Sequence, residues 1–429
     1  MNGTDALAEA LLMYSDVRFM VPGYPITGLA DRTGAEMVIN EKTGLEYALG
    51  VSLCGKRAAL IVKNVGANAC IDPLLQATAQ GLIGGVVLVV GDDPLAAGSQ
   101  TSQDTRIVGE LAEIPVLEPD MQTCHAAVEE AFRVSEEFSR VAMLRLTPGV
   151  LEGESSSAPV PRQDRRGRLS DRSWTMHGRV TASRALFRKL RDWSDASPLN
   201  RWAGEPAGIG PETGGTRVVT VYPPPRRLSG YRDVREQGLA FARDHSRHRI
   251  LPEPAGEQAP QRMEDRGYSR TFCRDCPFKP AIWAMKDAGL RPICDAGCAV
   301  MAMNPPFRIG VASYGMGASI AVAARSTGVA LTGDYALLHS GMNALIDVYE
   351  KQLPLLCVVM DNRCAAMTGK QPVHPLERYL GFAAPAVADG GDPDRVQDLL
   401  RPVKKPETVI IQGICPEGQE HEHVECRDL

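Results

Sequence analysis

Short runs of β-branched and aliphatic residues, almost free of charge, alternate with helix-like stretches at both ends of the chain. In the first 150 residues the runs are Ala58–Val62, Val86–Val90 and Val141–Leu146. After residue 270 they are Arg308–Ala312, Val329–Thr332, Leu355–Met360 and Thr408–Gln412. Runs of this kind read as strands buried on both faces, the pattern of parallel sheets covered by helices. Helices are predicted between them over Thr4–Tyr14 with Thr4 as N-cap, Glu41–Leu53, Asp72–Leu82 and Gln122–Phe138. They are predicted again over Ala318–Ala324, Met342–Lys351 and Asp394–Leu400. The fold class is therefore α/β, with two doubly wound parallel sheets and ligands expected at the C-terminal strand ends.

Charge separates these two regions. Residues 151–270 hold 22 Lys and Arg against 15 Asp and Glu, a net of +7, whereas the rest holds 25 against 37, a net of −12. This middle stretch opens on GESSSAPVPRQDRRGR and contains Pro223, Pro224 and Pro225 and a Pro/Glu/Gln-rich piece from Leu251 to Arg262. It reads as a long irregular connector with some short helix, such as Thr181–Trp193. Three segments follow: an α/β domain over 1–150, a polar basic connector over 151–270, and a second α/β domain over 271–429.

The whole chain carries a net charge of −5, and no aromatic residues interleave with the connector's arginines in an RNA-binding pattern. A nucleic-acid partner is therefore not expected. No membrane span is expected either, because the longest uncharged stretch, Pro73–Gly91, is broken by Gln76, Thr78, Gln80 and several glycines. The N-terminus, MNGTDALAEA, lacks a basic region followed by an apolar run. The eleven cysteines are then expected as reduced thiols or metal ligands in a cytoplasmic protein.

The sharpest chemical signal lies in the last region. Gly333-Asp334 ends one predicted strand and Asp361-Asn362 ends the next, with a helix between. A carboxylate and a carboxamide oxygen thus reach the same sheet edge, with one backbone carbonyl just beyond, at Cys364. Such hard oxygen ligands suit an Mg²⁺ ion carrying a diphosphate. Upstream, Gly315-Met316-Gly317-Ala318-Ser319 opens a helix whose N–H groups could take phosphate oxygens. Each piece alone could equally be an ordinary turn.

The spacing resembles the Gly-Asp…Asn motif of thiamine diphosphate enzymes. VALTGDYALLHSGMNALIDV and VVMDNRCAAMTGKQ are similar to the diphosphate domain of the indolepyruvate:ferredoxin oxidoreductase large-subunit family. VPGYPITGLAD, INEKTGLEYALGVSLCGKRA, VKNVGANACIDPL and GDDPLAAGSQTSQDTR resemble that family's pyrimidine domain. The resemblance covers about residues 1–150 and 271–415. The family's C-terminal ferredoxin-like domain has no counterpart in this sequence, and Tyr335 stands where the Gly-Asp-Gly form of the motif has glycine.

The resemblance implies thiamine diphosphate as cofactor, held with Mg²⁺ by Asp334, Asn362 and the backbone of Cys364. Gly66, Gly315, Gly317, Ser319, Gly333 and Ser340 fall at cofactor-binding positions. Glu41 matches the acid beside the aminopyrimidine; its other reading is a first-turn residue favoured by the helix dipole. Glu36 and Glu46 are nearby decoys, with Glu46 expected on the far side of the helix. Thr27, Lys63, Asn64 and Arg106 are candidates to meet a substrate carboxylate, although Arg106 could instead pair with Asp104. His339 could relay a proton or belong to a helix cap through Ser340.

Cys273 and Cys276, spaced CxxC, together with Cys298 and Cys415 suffice for either Zn²⁺ or a [4Fe–4S] cluster. Their positions are similar to those of a cluster in ferredoxin oxidoreductases. Cys294 is a stand-in for Cys298, and His421, His423 and Cys426 form a weaker tail set. The implied activity is oxidative decarboxylation of a 2-oxoacid, an aryl pyruvate such as indolepyruvate included, with electrons passing through the cluster to ferredoxin. A homodimer with a smaller second subunit is implied, and coenzyme A belongs to the same chemistry although no site for it is legible. The competing readings are a non-oxidative 2-oxoacid decarboxylase and a non-catalytic cofactor-binding subunit.

Overall fold

A computed structural model describes residues 1–99, 103–202, 217–225, 227 and 259–426. The chain divides into two compact units. Unit 1 comprises Met1–Ser170 and Arg179–Pro260, and unit 2 comprises Asp171–Gly178 and Gln261–Leu429. The Pro/Glu/Gln-rich piece up to residue 258 and residues 100–102 of the GDDPLAAGSQTSQDTR stretch lie outside the described residues.

Unit 1 is built on seven strands: β1 (Val17–Met20), β2 (Glu36–Met37), β3 (Ala58–Lys63), β4 (Val86–Gly91), β5 (Val116–Leu117), β6 (Ala142–Leu146) and β7 (Thr220–Tyr222). Their order is β2-β1-β3-β4-β6-β5-β7. All neighbours are parallel except β7, which joins β5 antiparallel at the edge. Every residue of β4 and β6 is buried, as expected where helices cover both faces,. The covering helices include α1 (Gly3–Tyr14), α2 (Thr27–Arg32), α3 (Glu41–Leu53), α4 (Asn64–Ala69), α5 (Ile71–Gln80), α6 (Arg106–Ala112), α7 (Cys124–Phe138) and α8 (Met176–Ala196).

Unit 2 carries five strands of a second parallel sheet. After β8 (Tyr268–Arg270) come β9 (Ile293–Cys294), β10 (Val329–Gly333), β11 (Leu355–Asp361), β12 (Ala386–Asp389) and β13 (Pro406–Gln412), in the order β12-β13-β11-β10-β9. Its helices include α9 (Lys279–Asp287), α10 (Ser319–Ala324), α11 (Met342–Glu350) and α12 (Pro393–Leu399). The short β8 pairs antiparallel with β14 (His423–Glu425), so the C-terminal segment returns beside Cys273. Two parallel-sheet units thus bear out the α/β expectation.

Three local expectations need correction. Asn2, not Thr4, caps α1: its side chain accepts from the Asp5 N–H at 2.8 Å, while the Thr4 hydroxyl donates to the Leu151 carbonyl. Arg308–Ala312 is not a strand. It runs beside β9 through only two ladder-like bonds, Val311 N–H to Pro292 and Cys294 N–H to Ala312. Arg308 has a φ of 53°, and at Gly310 a Cβ would meet the Cys294 sulfur at 2.7 Å. The stretch read as connector also supplies β7 and most of α8 to unit 1. Phe187 and Leu190 anchor α8, both buried, although the helix as a whole is polar enough to resemble a linker. Among the described residues no helix is long and apolar enough to cross a membrane.

Candidate functional site

In unit 1, Asn40 caps α3 by accepting the Thr43 N–H at 2.8 Å. This sets Glu41 in the first turn of the helix, where the dipole favours a carboxylate,. The carboxylate lies over α4: a Cβ on Gly66 would come within 2.6 Å of Glu41 Oε1. Sequence reasoning chose both residues, and the fold brings them together. Glu46 is buried and paired with Lys42, and so is spent as an ion pair. Beside α4, Asn64 is fully buried with its Nδ2 lacking a partner, an unspent donor at the C-terminal end of β3.

Other candidates are committed locally. The Thr27 hydroxyl accepts from the Gly23 N–H and donates to the Gly23 carbonyl. Arg106 is buried, and its guanidinium takes both oxygens of Asp104, the alternative that the sequence left open. Next to it, Arg145 is buried between Asp92 at 2.5 Å and Glu118 at 2.7 Å.

In unit 2, β10 delivers Asp334 and β11 delivers Asp361 and Asn362 to one sheet edge. Asp334 is 3% exposed; Oδ1 accepts the Tyr335 N–H at 2.7 Å, and Oδ2 has no partner. Asp361 is buried too, with Oδ2 taken by Arg363 and Gln412 and Oδ1 unpartnered. Burial, then the nearby Asp361 carboxylate, push the Asp334 carboxyl up to about 6. Two orphaned carboxylate oxygens in one buried edge are a poor arrangement without a cation and a good one with it. Asp361 was missed as a candidate because its sequence neighbour Asn362 matched the motif. Cys364 lines the same cleft and gives its backbone N–H to Asn362 Oδ1 at 3.2 Å.

The glycine-rich loop is organised by two side chains. Ser340 donates to the Met316 carbonyl at 2.5 Å. A Cβ on Gly317, whose φ is +76°, would meet the Gly341 nitrogen at 2.5 Å, so glycine is required for this approach,. The Ser319 N–H is occupied by the buried carboxylate of Asp295 at 2.8 Å, and the Ser319 hydroxyl is buried without a partner. Gly315 lies in the same loop with a φ of 118°, and Gly333 lines the Asp334 cleft. His339 is exposed, on a π-helical turn over Leu337–Gly341, with its ring 5.9 Å from that of Tyr335.

All four predicted cysteines, Cys273, Cys276, Cys298 and Cys415, line one cavity of ≈ 410 Å³. Cys294 is buried elsewhere, with its sulfur toward the Pro292 carbonyl, and does not stand in for Cys298. Burial first, then the neighbouring sulfurs, push Cys276 up to about 11 and Cys298 up to about 12. Such thiols surrender their protons to a metal rather than to water. Among the described residues no three His, Cys, Asp or Glu side chains converge on one ion-sized point. The four cysteines share the cavity lining with His421 and other residues, and His421 Nε2 lies 3.5 Å from Cys298 Sγ. Phe278, Cys298, Asn362, Ala366 and Met367 line both this cavity and the Asp334 cleft.

Residues 283–394 match the thiamine pyrophosphate enzyme family, C-terminal TPP-binding domain. The chain is 26% identical to the indolepyruvate oxidoreductase subunit IorA of Pyrococcus horikoshii, over 79% of this chain and 68% of that protein. It is 25% identical to the subunit of the same name from Archaeoglobus fulgidus, over 93% of this chain and 79% of that one. The solved thiamine diphosphate-dependent 4-hydroxybenzoylformate decarboxylase of Rhodococcus jostii RHA1 superposes with a TM-score of 0.56 at 12% identity. That match covers 97% of this chain and 100% of the other, a likeness of fold alone. The resemblance read from the sequence is borne out.

Proposed function

We propose that this homologue of the IorA subunits is the catalytic subunit of a thiamine diphosphate-dependent 2-oxoacid:acceptor oxidoreductase. When bound, the cofactor supplies a carbon nucleophile that cleaves the bond between the keto carbon and the carboxylate. In unit 2, Asp334, Asn362 and the backbone of Cys364 hold Mg²⁺ and the diphosphate, with Asp361 as an added acidic neighbour. In unit 1, Glu41, with the room that Gly66 leaves beside it, would be the acid that meets the cofactor's aminopyrimidine. Asn64 offers its unpaired N–H to the substrate carboxylate.

Oxidative decarboxylation of the 2-oxoacid would release CO₂ and two electrons and leave an acyl group for an acceptor such as the thiol of coenzyme A, whose proton is released. Cys273, Cys276, Cys298 and Cys415 would hold a [4Fe–4S] cluster, which would supply one-electron transfer to a ferredoxin-class acceptor. The observation that carries this reading is the placement of those four cysteines around one cavity whose wall is shared with the Asp334 cleft. The relatives' names, indolepyruvate oxidoreductase subunit IorA, favour an aryl pyruvate as substrate and a place in a multi-subunit enzyme.

The test is anaerobic purification followed by assay of iron, sulfide and thiamine and a screen of 2-oxoacids with a viologen dye. About four irons and four sulfides per chain with dye reduction are expected. Tightly bound zinc without sulfide, and CO₂ release without dye reduction, would mean a non-oxidative decarboxylase. Bound thiamine with neither product would mean a non-catalytic subunit.

A further inference from the structure

One side chain in the wall between the Asp334 cleft and the cysteine cavity has a different polar atom turned to each side. Asn362 lines both spaces. Its carboxamide orientation follows from chemistry: the Cys364 N–H can only donate, so the atom it meets at 3.2 Å is Oδ1,. Nδ2 is thereby turned the other way and donates to Cys415 Sγ at 3.0 Å. Oδ1 keeps a second lone pair, enough for a cation in the Asp334 cleft.

We propose that Asn362 is a positioning residue that couples the two sites: a cation gripping Oδ1 locks the carboxamide with its N–H on Cys415, so that loading of the diphosphate site raises the reduction potential of the cluster. The inference rests on the cluster reading given above. Reduction adds negative charge to a cluster and its thiolates, and an N–H donor to a ligating sulfur stabilises that charge. Without the cation the bond to Cys415 is already made at 3.0 Å, with one backbone N–H holding the carboxamide, and a cation on Oδ1 would restrain it further. The acceptor therefore becomes easier to reduce once the cofactor that feeds it is in place.

The experiment is a redox titration of the full-length, anaerobically reconstituted protein, followed by electron paramagnetic resonance of the reduced cluster. It is run with and without Mg²⁺ and thiamine diphosphate. The wild-type midpoint should move to higher potential when both are added. Asn362→Asp keeps an oxygen for the cation but has no N–H; it should bind thiamine diphosphate, start from a lower midpoint and lose the shift. Asn362→Ser, lacking the amide altogether, should lose the shift as well. An unchanged wild-type midpoint on loading, or a full shift in Asn362→Asp, overturns the coupling alone, and the wild-type comparison stands even where a variant does not fold. Wild-type protein without iron and sulfide overturns the cluster reading and the coupling with it.

Discussion

Asp334 is a carboxyl that the fold prefers protonated. Its folded value of about 6 lies above the ordinary carboxylate range because burial and Asp361 oppose its charge,. The sign follows: its contribution to stability is complete at pH values below about 4, the unfolded range, and is lost as the pH rises through 6. A divalent cation needs the ionised form and reverses the trend. Mg²⁺ should therefore raise the melting temperature more at pH 7 than at pH 5, with affinity falling roughly tenfold per unit below pH 6. Asp334→Ala should abolish both the Mg²⁺ response and Mg²⁺-dependent thiamine diphosphate binding, as read by thermal shift and calorimetry. Unchanged affinity in that variant would move the metal elsewhere. Asp334 and Asn362 were legible in the sequence because strand-end motifs are local. Asp361 and Asp295 were not, because the groups they act on come from residues 24 to 37 positions away.

At the scale of elements, α4 approaches α3 closely where Gly66 faces Glu41. Alanine in a helix interior ordinarily stabilises by about 1 kcal/mol relative to glycine, but here its Cβ would displace the flexible carboxylate. Gly66→Ala should leave the melting temperature unchanged or higher while turnover falls about a hundredfold, a loss of acid–base scale. If turnover survives, Glu41 does not act from this position. The ends of β4, β5 and β6 are locked in a different way, by Arg145 buried between Asp92 and Glu118. Arg145→Leu would strand two buried acids and should cost about 3–5 kcal/mol in urea denaturation; a loss below about 1 kcal/mol would contradict that role. The long strands β3, β4, β6, β10, β11 and β13 were readable because most of their residues are apolar and buried. The two- to four-residue strands were not, since β1 includes Arg18 and β12 is only partly buried. Arg308–Ala312 has strand-like composition, yet its backbone is turned aside by a left-handed residue.

Across the whole molecule, under the proposed function, cofactor binding, proton handling and electron exit rest on separate groups of residues apart from the bridging Asn362, so lesions away from it should separate. Glu41→Gln should still bind thiamine diphosphate and keep its iron while turnover drops 10²–10⁴-fold. Cys276→Ser should keep thiamine binding and lose iron, sulfide and the absorbance near ~400 nm that cluster charge transfer gives. Activity within about tenfold of wild type in Glu41→Gln would remove that residue from the chemistry. The high proton affinity of Cys276 and Cys298 bears also on how such a protein survives before it is loaded. Oxidation and alkylation attack thiolates, and at neutral pH Cys276 and Cys298 remain almost wholly thiols,. A metal-free chain should therefore keep these two sulfurs unmodified in air longer than it would keep an exposed thiol of ordinary acidity.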